Sequence, residues 1–145
     1  MSDHDQRWVL NHLIALCRDE ELTLRFAATR AHDATARSLF TELAVQRAQF
    51  AAELVPHAQR LGGNVPPEGT RLGALHRRWA AVKDALLGHS DRGILTEAEY
   101  AEGEALLTFE RALDDQLPPT ARELVERQCA QLRHGHDRVQ ALLMH

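Results

Sequence analysis

Four stretches of about 25 residues each carry apolar side chains at alternating three- and four-residue steps, the spacing that lines up one face of an α-helix. The first seam is Leu10, Leu13, Cys17, Leu24 and Ala28. The second is Leu39, Leu43, Phe50 and Leu54. The third is Ile94, Ala98, Ala105 and Phe109, and the fourth is Val125, Cys129, Leu132, Val139 and Leu143. No stretch alternates apolar and polar residues with period two, and β-branched residues are sparse, so strands are not expected. The chain of 145 residues therefore reads as one all-α domain spanning residues 1–145.

Punctuation places the helix ends. The first helix is expected from about Asp5 to Ala31, with Asp3 or Asp5 accepting bonds from its free amides. Asp33 caps a second, reaching about Leu61, where Gly62 and Gly63 stop it. Pro56 lies inside its last turns and is expected to kink them. A loop from Gly63 to Thr70 and a short helix from about Leu72 to Leu87, with seam Leu72, Leu75, Trp79, Val82 and Leu86, follow. Ser90 or Asp91 caps the next long helix, to about Gln116, and Pro118–Pro119 open the last, to about Met144. Two long pairs thus have very short turns, which forces antiparallel neighbours. The link between the pairs is long enough to carry the chain back along the bundle. Two helical hairpins joined by one long crossover make the ferritin-like four-helix bundle.

The seams have polar gaps. Glu20 and Glu21 fall between Cys17 and Leu24, Gln46 between Leu43 and Phe50, Glu102 between Ala98 and Ala105, and His136 between Leu132 and Val139. At a rise of 1.5 Å per residue from the Asp33 turn, Glu20 and Glu21 lie roughly 15–16 Å down and Gln46 about 18 Å down. With the crossover, Glu102 lies about 16 Å and His136 about 12 Å down, so all share one level. Buried carboxylates must be paired, protonated or metal-bound. One reading is a single iron, manganese or zinc ion held by Glu20 or Glu21, Glu102 and His136, with Gln46 as a weak ligand or an orienting neighbour. The plainer reading is a hydrogen-bonded layer that sets helix register: Gln46 and His136 donate to Glu21 and Glu102, and Arg47 or Arg133 leans in from the flank. The plainer reading is preferred, because the Glu-x-x-His spacing of di-iron bundles occurs nowhere in the chain.

Several short segments together resemble a bacterial family of ferritin-like four-helix-bundle proteins of unassigned function. They are FTELAVQRAQFAAEL (Phe40 to Leu54), LGG (Leu61 to Gly63), GALHRRW (Gly73 to Trp79), Glu97-x-Glu99-x-x-Glu102, LPP (Leu117 to Pro119), LVERQ (Leu124 to Gln128) and HDRVQAL (His136 to Leu142). The resemblance runs from about Trp8 to Leu143. It implies the bundle and a bacterial cytoplasmic protein, and it implies no activity, so no catalytic residue is carried over. Glu102 and His136 match polar positions of that family, Gln46 lies in its QRAQF segment, and Pro56 departs from it.

Other function classes find little support. The net charge of -4 argues against nucleic acid, and the arginines of RAQF and HRRW read as stems beside core aromatics. No apolar run approaches a membrane span, and the start does not read as a signal peptide. Cys17 and Cys129 both fall on seams and read as buried, inert thiols in a reducing cytoplasm. The expected role is a non-catalytic bundle acting through self-association or a protein partner, with the metal-binding bundle, oxidase-like or metal-buffering, as the alternative. Trp79 and its neighbours are expected either to cover the bundle or to form a two-fold interface.

Overall fold

In a computed structural model the described residues are 2–62 and 90–144, which form four long helices and no strand. They are α1 (Asp3–Arg30), α2 (Ala34–Arg60), α3 (Asp91–Leu113) and α4 (Pro119–Leu143). The expected short helix from Leu72 to Leu87, with Trp79, lies outside the described residues.

Side chains at the helix starts explain the boundaries. Ser2 rather than an aspartate caps α1, its hydroxyl accepting from the Asp5 amide. Asp33 caps α2 through the Ala36 amide, and Ser90 caps α3 through the Gly93 amide. Pro119 opens α4 at a first-turn position where its missing N–H breaks no bond. Gly62 terminates α2 with φ of 90°, a conformation strained for any residue carrying a Cβ. Pro56 lies within α2, which runs on to Arg60.

Tethers at the two ends establish the topology. At the upper end the Asp91 carboxylate accepts from the backbone amides of His32 (2.8 Å) and Asp33 (2.6 Å), so α3 begins beside the α1–α2 turn. Arg92 donates there to the carbonyl of Leu143, near the end of α4. At the lower end Arg7 donates to the Gly62 carbonyl (2.6 Å), and Gln6 donates to the carbonyl of Gln116 in the α3–α4 turn. Helix α2 ends below and α3 starts above, so the two run in the same direction. Each helix of one hairpin packs beside one of the other, α1 on α3 and α2 on α4.

The core is divided. A lower apolar cluster takes in Leu10, Leu13, Phe50, Leu54, Phe109, Val125 and Leu132. An upper cluster takes in Leu24, Leu39, Phe40, Leu43, Ile94 and Val139. Between them lies a polar layer.

Asp91 links three elements through charge-assisted bonds. The backbone amides of His32 and Asp33 hold its carboxyl below the usual carboxylate range. A folded-state value lowered in this way stabilises the fold above the ordinary aspartate value and ceases to do so as pH falls through the folded one. Asp91→Ala is expected to lower stability by about 1–2 kcal/mol at neutral pH. The gap from wild type should narrow as pH falls below the ordinary aspartate value of about 4, as read by urea denaturation.

Candidate functional site

The layer is centred on Arg47, which has no solvent exposure. Its position on α2 lies four residues after Leu43 and three before Phe50, so the helix aims it into the core. Each guanidinium nitrogen has a partner. Nε donates to Glu20 Oε1 of α1 at 3.1 Å, one terminal nitrogen donates to Glu102 of α3, and the other to the side-chain oxygen of Gln46. Glu20 and Glu102 are buried on seam positions of their helices. The guanidinium carbon lies 5.9 Å from the centre of the Phe50 ring, where a cation is favoured.

Helix α4 contributes space instead of a ligand. Its residue at this level is Gly135, three after Leu132 and four before Val139. A Cβ at Gly135 would meet Leu43 Cδ2 at 3.0 Å and Glu102 Oε2 at 3.7 Å. The missing side chain leaves room for the carboxyl group and for the leucine against α4.

Electrostatics follow from this packing. Burial alone would favour loss of the Arg47 proton. The charges of Glu20 and Glu102 outweigh it and hold the guanidinium above its ordinary value. Cys17, one turn below Glu20, is fully buried. Burial first, and then the Glu20 charge, push its thiol far up, so it stays protonated. Burial also raises the thiol of Cys129. Neither thiol is activated as a nucleophile, in line with the expectation of inert cysteines.

Of the five candidate ligands, the structure brings Glu20, Gln46 and Glu102 together on Arg47. It places the other two elsewhere. Glu21 pairs with Arg25 along the surface of α1 at 2.8 Å. His136 turns toward α3, where Nε2 lies 3.0 Å from Glu99 Oε1, and Gln140 donates to the same oxygen at 3.2 Å. Gln46 accepts from Arg47 and does not donate to a glutamate. Arg133 reaches Glu110 at the surface, so the flanking cation expected from the sequence is Arg47, and it stands at the centre. The Arg47 guanidinium occupies the position between the Glu20 and Glu102 carboxyl groups. Among the described residues no group of three or more His, Cys, Asp or Glu converges on one point.

A further buried polar residue escaped the sequence reading. Gln128 of α4 donates to the Phe50 carbonyl (3.3 Å) and to Glu53 (3.2 Å), which ties α4 to α2 below the layer. Its only signal in the sequence is a polar residue between Val125 and Leu132, adjacent to Cys129 on the seam.

The two antiparallel hairpins, the co-directional α2 and α3 and the polar mid-layer define a ferritin-like helical bundle. A family model described as "Domain of unknown function (DUF2383)" matches residues 7–115, and the chain belongs to that family. The fold is similar to that of a solved two-domain protein from Anabaena variabilis ATCC 29413 containing DJ-1/ThiJ/PfpI-like and ferritin-like domains. The TM-score is 0.82 at 19% identity, and the match covers 99% of this chain and 40% of that one. No curated protein matches the chain.

Removing the central cation would leave two carboxyl groups facing each other without a counter-charge. Arg47→Met is expected to cost about 3–5 kcal/mol at neutral pH. The triple variant Glu20→Leu, Arg47→Met, Glu102→Leu should return to within about 2 kcal/mol of wild type. Urea denaturation of the three proteins checks both.

Proposed function

We propose that this chain is a non-catalytic bundle of the bacterial cytoplasm that works by association, with a second copy or with a protein partner. The observation that carries this reading is the closure of the polar layer on itself. Arg47 spends every nitrogen on Glu20, Gln46 and Glu102. The layer then serves packing: one buried cation bonded to α1 and α3 aligns the two hairpins at a single register, a use of buried polar groups with precedent in helical bundles.

Two further features support association. Tyr100 and Leu107 stand exposed on α3 at a seven-residue interval, which puts them on one face. In the Anabaena protein a ferritin-like domain shares its chain with a second folded domain, so a bundle of this fold is found there alongside another module. Light scattering of the purified protein is expected to give a defined oligomer, or pull-down a specific partner. Tyr100→Glu should weaken that association by at least about tenfold while leaving the melting temperature unchanged. A strict monomer with no partner overturns the reading.

The alternative, an iron, manganese or zinc ion, has one observation in its favour. Glu20 and Glu102 approach the same point from facing helices, so an ion that displaced Arg47 would find two carboxylates. Elemental analysis of untagged protein separates the readings. Metal binding predicts near-stoichiometric metal and a Glu102→Ala variant that is destabilised only when metal is present. The packing role predicts that Glu102→Ala destabilises the bundle equally with and without added metal.

A further inference from the structure

Helix α4 is held unequally along its length. Below Gly135 it buries Ala121, Leu124, Val125, Gln128, Cys129 and Leu132. Above Gly135 it buries only Val139. Leu142 and Leu143 are half-buried against the upper cluster. The other ties of the upper segment among the described residues are polar: Arg138 to Glu42 (2.8 and 2.7 Å), His136 and Gln140 to Glu99, and Arg92 to the Leu143 carbonyl. Arg138–Glu42 is an exposed ion pair, a kind that contributes little to stability.

The same segment borders a void. A groove of about 470 Å³ separates it from the first turns of α2, between Ser38 and Leu39 on one side and Arg138, Ala141 and Leu142 on the other. Gly135, the residue at which the grip changes, is the least helix-favouring kind other than proline. It also sits beside the Glu102 carboxyl group.

We propose that α4 hinges at Gly135 and that its upper segment, His136 to Leu143, opens as a unit, uncovering the Glu102 end of the buried layer. The lower part of α4 stays packed in the lower cluster. Opening exposes one buried valine and two half-buried leucines and breaks polar ties, whereas opening the lower segment would expose six buried side chains. The segment is therefore a gate between solvent and the Glu20–Arg47–Glu102 layer. It stands whether the bundle acts by association or binds an ion.

Native-state hydrogen exchange tests this on the amides of His136 to Val139. These donate to the carbonyls of residues 132–135 and so lie inside the helix, away from fraying at its end. They are expected to exchange at least about tenfold faster than the amides of residues 128–132, with weak dependence on denaturant. Val139→Ala should speed them by a further factor of about ten and leave residues 128–132 unchanged. Glu42→Gln, which leaves the core intact, should speed them about two- to threefold. Carbodiimide footprinting of carboxyl groups should modify Glu102 faster in Val139→Ala than in wild type, with Glu20 unchanged. Equal protection above and below Gly135 overturns the proposal, as does a Glu102 reactivity that Val139→Ala does not raise.

Discussion

A guanidinium with no access to water has to be met by acceptors on every side, and in this bundle those acceptors come from different helices. Arg47 of α2 reaches Glu20 on α1 and Glu102 on α3, and its neighbour Gln46 takes the third direction. Apolar contacts tolerate small slides of one helix past another, since one leucine packs much like the next. A charged pair does not, because a shift of one turn leaves an ion alone in a medium that solvates it poorly. The layer therefore ties the first hairpin to the second at one level, and the apolar clusters above and below fill in around it.

That coupling depends on chain direction. Glu102 reaches the level of Glu20 only because α3 starts at the same end as the α1–α2 turn, where Asp91 binds two amides of that turn. An up-down-up-down bundle would place Glu102 several ångströms lower, out of reach of Arg47. Capping at the upper end and ion pairing in the middle thus reinforce the same topology. The two contacts are far apart in sequence, and each makes the other's geometry available.

The polar gaps in the seams were legible as gaps, and their common depth followed from rise per residue and the crossover. Which residue filled each gap was harder to read. A seam that steps by three or four offers two adjacent positions at every gap, about 100° apart around the helix. Gln46 and Arg47 both satisfy the spacing between Leu43 and Phe50, as His136 and Gly135 do between Leu132 and Val139. Polarity alone favours Gln46 and His136. The structure takes Arg47 and Gly135, because two glutamates need a cation between them and because Glu102 and Leu43 need the volume a glycine leaves. The choice at one helix depends on side chains of the other three, and no local pattern carries that information. Glu20 against Glu21 was the same ambiguity: Glu20 faces Arg47 of the neighbouring helix, and Glu21 pairs with Arg25 along the surface.

Local chemistry along the chain was enough to determine the all-α class, the four long helices, the cap at Asp33, the opening of the last helix at Pro118–Pro119, and the existence of a hydrophilic level in the core. These follow from interactions within a turn or two, which depend on nearest neighbours. Tertiary structure alone decided that a buried arginine joins the two hairpins, that a glycine on α4 makes room for Glu102 and Leu43, and that His136 faces Glu99. Those outcomes rest on charge balance and volume shared among four helices, quantities that exist only once the helices have come together.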